Sequence, residues 1–171
     1  MGTVRTGWEG RFFEDFEVGD VYRCRYGRTV TEADNIQFTL LTNNTNQIHF
    51  NRDYGERTSF GGCLVNSALT LSIVAGMGVS DVSENGFALG WDEITLPSPV
   101  YPGDTLYSES EVVERRESRS RPEQGIVKVE TRGYKQDGTL VIRYRRSVMV
   151  WKRAHAPSVA LFPAVGDGAG T

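Results

Sequence analysis

The chain has two histidines, and only His49 lies in a stretch that could support proton transfer. It sits in "NNTNQIHFN", residues 43–51, after three asparagines and before a fourth. No carboxylate lies between Asp34 and Asp53, so the loop has an acid–base residue but no adjacent acid. An imidazole, with an ordinary pKa of about 6.5, can take up and return a proton near neutrality. Asp92 and Glu93 in "GWDEI" are an acidic pair on a predicted strand. They are candidates for the missing acid, although such pairs usually face solvent. Cys24 and Cys63 have no metal-ligand spacing, and no phosphate-binding glycine loop or dinucleotide fingerprint is present. Cys63 precedes a predicted helix, where thiolates are stabilised, but a small buried hydrophobe is the commoner role. His155 falls in the terminal segment and is expected to be inert.

Positioning one imidazole requires a frame. The 171 residues, 39% apolar and 24% charged, suit one domain with a sizeable core. A net charge of −3 argues against non-specific nucleic-acid binding, and no apolar run is long enough to span a bilayer. Reduced thiols and a cytoplasmic location are expected. Residues 21–30 form an extended run after the Gly19-Asp20 turn. Thr31 is a good N-cap for an amphipathic helix over 31–42, with Ile36, Leu40 and Leu41 at helical spacing. A short helical turn and a Gly-rich bend follow the asparagine loop. The segment 63–79, "CLVNSALTLSIVAGMGV", is apolar nearly all round and predicts a helix buried on most of its surface.

Four extended runs come next, at 87–96, 105–117, 126–134 and 140–151, with "QDGT" as a hairpin turn between the last two. The order predicts an α+β protein in which an antiparallel sheet wraps around a long central helix. One such layer leaves a sheet edge and the far side of the helix uncovered, which predicts a homodimer. Residues 1–10 read as an N-terminal extension, 11–152 as the domain, and 153–171, rich in Ala, Gly and Pro, as a flexible tail.

The motifs "FFEDFEVGDVYR", "GRTVTEADNIQFTLLT", "IHFN", "SFGGCLVNSALTL", "PVYPGDTL", "RESRSRP" and "RGYKQDG", in this order over about residues 11–152, resemble the MaoC-like dehydratases. That family has the hot-dog fold and includes the (R)-specific enoyl-CoA hydratases. The resemblance extends to its branch of mesaconyl-CoA and methylmalyl-CoA hydratases. It implies water addition or removal across the 2,3 bond of an acyl thioester, with branched or dicarboxylic acyl groups such as that of mesaconyl-CoA among those expected, CoA or a carrier-bound pantetheine as part of the substrate and no further cofactor. The family's loop places an Asp five residues before the His. Asn44 occupies that position here, and Gln47 replaces the family's proline. The family's glycine at the start of the central helix, whose N–H faces the thioester oxygen, corresponds to Ser67.

The resemblance thus implies His49 as general base and Asn44 as a water-holding residue, its alternative being an Asx-turn that merely shapes the loop. It implies Ser67, with Asn66 and Gly62 beside it, as the oxyanion and substrate-binding segment. Arg119 and Arg121, in "ERRESRSRP", are candidates for CoA phosphates, since guanidinium groups suit them. A mixed-charge run is otherwise a solvated strand end. Alternative functions are a thioesterase on the same fold, or a non-catalytic acyl-thioester binding module, given the amide at position 44.

Overall fold

The computed structural model describes residues 3, 5 and 7–157; the predicted tail beyond 157 lies outside them. A 3-10 turn, Phe13–Asp15, precedes the first strand and buries Phe13. The extended run expected over 21–30 is two strands, β1 (Val21–Arg23) and β2 (Arg28–Thr29). Both pair antiparallel with β4 (Thr105–Glu117), Arg23 opposite Glu109 and Arg28 opposite Leu106. The chain between them is longer than the stretch of β4 it faces, so it bows out of the ladder.

Three helices follow: α1 (Glu32–Leu41), α2 (Arg52–Glu56) and α3 (Ser67–Met77). The remaining strands are β3 (Gly86–Thr95), β5 (Gln124–Lys135) and β6 (Leu140–Trp151). The sheet order is β1-β4-β5-β6-β3, with β2 also beside β4, and every described pairing is antiparallel. The β5–β6 hairpin turns at Gly138, whose φ of 83° suits a residue without a Cβ.

Alternation along β4, β5 and β6 sends one row inward and one outward. The inner row holds α3: Leu69 and Val74 join Val30, Leu106, Ile142 and Tyr144 in one core. A second core gathers Phe13, Phe16, Val82, Val112, Val127, Val129, Val148 and Val150. The helix lies close to the sheet because Gly133 stands beneath it. A Cβ there would come 2.7 Å from Val74 and 2.6 Å from Ile142. The outer row is charged, with Arg132 paired to Glu109, Glu111 and Glu130.

Two expectations need correction. The central helix starts at Ser67, not at 63, because Asn66 caps it by accepting from the Ala68 N–H. Its far side is uncovered, as expected of a single layer: Ala68, Ser72 and Gly76, one turn apart, are exposed. On α1 the expected apolar stripe is reversed. Leu40 and Leu41 are 59% and 81% exposed, while the polar Asn35 and Thr39 are fully buried.

Candidate active site

The site is built around that polar face of α1. Thr31 and Asp34 form a capping box: the Asp34 N–H donates to the Thr31 hydroxyl oxygen (3.1 Å), and the Thr31 N–H donates to the Asp34 carboxylate (2.8 Å). The bonds from Thr31, helped by Arg28, hold the Asp34 carboxyl below its ordinary pKa. The box fixes where α1 begins and so where Asn35 points.

Asn35 ties three segments together. Its Nδ2 donates to the His49 carbonyl (2.7 Å) and to the Leu64 carbonyl (2.9 Å), and its Oδ1 accepts from the Asn66 N–H (2.8 Å). Asn66 Nδ2 in turn donates to Thr39 Oγ1 at 3.3 Å. The asparagine loop is thereby fastened to the chain that leads into α3. A buried network of this kind is satisfied at every member and sets one geometry.

The imidazole is held by the same segment. His49 Nδ1 lies 3.0 Å from the Leu64 carbonyl oxygen. A carbonyl only accepts, so Nδ1 carries the proton and the Nε2 lone pair of neutral His49 is left as the base. Leu64 stands three residues before Ser67, the first residue of α3, and its own N–H donates to the Ile48 carbonyl. The Ser67 N–H has no partner among the described residues and lies at the positive end of the helix. Leu64, Ser67 and Thr70 line a cleft of about 320 Å³ together with Leu96, Pro97, Ser98 and Pro99; His49 and Asn44 are not among its lining residues.

Asn44 is half-buried, and its Oδ1 accepts from the Asn46 N–H at 3.0 Å. This is the Asx-turn that was the alternative reading, and it leaves the Asn44 amide NH₂ uncommitted. Asn43, just before, takes a positive φ of 54°, which asparagine tolerates.

Four predicted residues fall elsewhere. Asn66 is 4% exposed and its polar groups are engaged in the frame, so it positions the helix start rather than facing the cleft. Gly62 packs against Gly55 of α2, where a Cβ on Gly55 would meet Gly62 carbonyl carbon at 2.7 Å. It lines a separate depression with Glu32, Arg52 and Cys63. Arg119 and Arg121 occupy the β4–β5 hairpin, beyond the ends of the long strands. Arg121 stacks over Phe87 of β3 and donates to Gln124.

The acidic pair is also excluded as the missing acid, because it belongs to the outer face. Asp92 pairs with Lys128 and Glu93 with Arg145. Burial, with the nearby Glu32 carboxylate, pushes the Cys63 thiol up, against a reactive thiolate. No group of His, Cys, Asp and Glu among the described residues could hold a metal ion. Sequence reasoning missed Asn35 and Thr39. Their signal was the spacing itself: two polar residues four apart, placed by the Thr31–Asp34 box on the face that meets α3.

A sheet curled around one helix, with an imidazole bonded to the carbonyl of Leu64 in the segment that leads into that helix, fits a hot-dog protein of the MaoC-like dehydratase class. A family model described as mesaconyl-CoA hydratase matches residues 2–159. The chain belongs to that family. It is 35% identical over 164 residues to a mesaconyl-CoA hydratase of Cereibacter sphaeroides, covering 95% of this chain and 47% of that protein. Its structure is similar to a MaoC domain protein dehydratase from Chloroflexus aurantiacus (TM-score 0.82, 32% identity, 96% of this chain and 47% of that one). A Mycobacterium tuberculosis protein described as a double hot-dog fold shares the fold at TM-score 0.77 and 19% identity, over 92% of this chain and 53% of that one. The chain spans about half the length of the curated relatives it matches.

Proposed function

We propose that this protein adds or removes water across the 2,3 bond of an acyl thioester. The observation that supports it most is the Nδ1–H bond from His49 to Leu64, which leaves Nε2 as a base on a loop fastened to the start of α3. In hydration, Nε2 takes a proton from water as the oxygen attacks the β-carbon. Electron density moves to the thioester oxygen, where the Ser67 N–H and the helix dipole stabilise it. The imidazolium then returns a proton toward the α-carbon, and dehydration runs the same steps backwards. Asn44 donates from its NH₂ to hold the water. CoA or pantetheine enters as part of the substrate.

A second copy of the chain is the proposed partner. β3 is a free sheet edge that exposes Phe87, Leu89, Trp91 and Ile94, with exposed Leu96 just beyond it. Two antiparallel β3 strands meeting near their centres would set the Phe87 end of one beside the Thr95 end of the other. The partner subunit's Arg121, stacked on its own Phe87, would then reach the Leu96–Pro99 rim of the cleft, where a CoA phosphate would meet it. Two free thiols, Cys24 and Cys63, fit a reducing compartment such as the cytoplasm.

The test is a panel of crotonyl-CoA and mesaconyl-CoA followed by enoyl absorbance and by free thiol. Falling absorbance with constant thiol supports hydration. Rising thiol would make the protein a thioesterase instead. No change in either would make it an acyl-thioester binding module, a reading favoured by the Asx-turn at Asn44.

A further inference from the structure

The inner row of β6 reads Tyr144, Arg146, Val148, and Arg146 in its middle is 4% exposed. Its guanidinium makes no ion pair and no hydrogen bond among the described residues, and Nε is enclosed without an acceptor. Its neighbours in register are Val129 of β5 and Trp91 of β3. The nearest inner positions of β4 and β5, Ser110, Val112 and Thr131, carry no carboxylate, and neither does α3. Asp81, in the turn after α3, is committed to Arg11. Burial lowers the pKa of the Arg146 guanidinium, yet such a group stays protonated in proteins. An enclosed cation without a counter-ion costs stability, and the chain around this one supplies none.

The groups beside it are donors as well. Ser110, Thr131 and Tyr144 stand in register across β4, β5 and β6, one inner position along from Arg146. The Ser110 and Thr131 hydroxyls bond to each other at 2.8 Å, which uses one of their two hydrogens. The Tyr144 hydroxyl is buried without a partner. A cation and hydroxyl hydrogens thus form a polar band between the two apolar cores. The space there is small. Gly78 faces Ser110, and a Cβ on it would stand 3.6 Å from the hydroxyl oxygen, an ordinary contact. That is room for one methyl-sized body, about the size of a chloride ion and too little for an organic acid. Trp91, opposite Arg146 on β3, is 45% exposed, so the band borders the sheet edge and a small ion can reach it.

We propose that Arg146 and the Tyr144 hydroxyl bind a chloride-sized inorganic anion, a counter-ion on which the folded chain depends for part of its stability. The proposal does not rest on the thioester reading above, because it concerns the fold without substrate. The donors converge only when β4, β5 and β6 are paired, so the anion binds the folded state and not the unfolded chain.

The test follows the thermal midpoint of the full chain, without thioester, as sodium chloride replaces sodium gluconate at constant ionic strength. Gluconate is too large for the band. The midpoint should rise along a saturating curve, by about 3–6 °C once chloride is tenfold above its dissociation constant. Tyr144→Phe should move that curve to several-fold higher chloride, and Arg146→Met should remove the dependence. A flat curve in the unaltered protein overturns the proposal. So does an equal rise in Arg146→Met, which is a bulk salt effect. Should the Met variant fail to fold, bromide located by its anomalous scattering in crystals of the unaltered protein decides the matter. A bromide peak at the Arg146 guanidinium is the expected result. No peak, or the carboxylate of a second copy in its place, overturns the proposal. A peak without any chloride-dependent midpoint is an adventitious ion only and overturns it as well.

Discussion

At the scale of single residues, the imidazole and its acceptor determine what the site can do. Replacing His49 by Ala should lower hydration by about 10²- to 10⁴-fold, the usual worth of a positioned acid–base group. Steady-state rates on crotonyl-CoA check this, and an unchanged rate removes His49 as the base. Asn44→Ala should lower kcat by roughly tenfold with little change in KM, as expected for a group that orients water rather than binding the acyl chain. The roles proposed for these two residues come from the loop's resemblance to a known one. A lone histidine among asparagines states no chemistry by itself. Asn66 and Gly62 were read from their place beside the helix start, which does not reveal which way a group faces. The buried uses of Asn66 depend on Asn35, 31 residues earlier in the chain.

Among the elements, α1 matters most to the site although none of its side chains needs to touch substrate. Asn35 is fully buried and makes three hydrogen bonds, so Asn35→Ala should cost about 2–4 kcal/mol by chemical denaturation. Asn35→Asp should be no milder, since it would set a carboxylate against the His49 and Leu64 carbonyl oxygens. Asp34 supplies a pH signature. Its folded-state pKa is depressed by its bonds to Thr31, so its contribution to stability is complete above its ordinary value of 3.8. That contribution is lost as pH falls below 3.8 through the lower folded value. Asp34→Asn should therefore flatten this part of the acid limb of a stability–pH profile, at a cost near neutrality of about 1 kcal/mol. The long strands β4 and β6 were readable to the residue from alternation and turn signals. The α1 face was misread because helical periodicity of Leu and Ile signals burial only when the facing surface is apolar. Here the facing surface is a loop and a helix start full of main-chain donors and acceptors, which favours Asn and Thr.

For the whole molecule, the edge of β3 and the small-residue side of α3 are left uncovered. Light scattering should give twice the chain mass, and Trp91→Lys on the edge should shift the species toward monomer. Arg121→Ala should raise KM for CoA thioesters several-fold while leaving short pantetheine thioesters without a phosphate little affected. Such a split would separate a phosphate contact from a packing role over Phe87. The sequence showed that one layer would leave an edge open. It did not show that the hairpin carrying Arg119 and Arg121 lies remote from the chain's own cleft, because strand length alone does not reveal where a hairpin tip falls in an assembly.

The group that orients the imidazole is a peptide oxygen, that of Leu64. No replacement of the Leu64 side chain can delete it, so the tautomer is protected from point changes in a way that a supporting aspartate's would not be. Neighbours such as the residues at 44, 47 and 67 are therefore free to diverge while the ring keeps its proton on the same nitrogen. Inactivation through the ring's orientation would have to come from substitutions that displace the backbone itself.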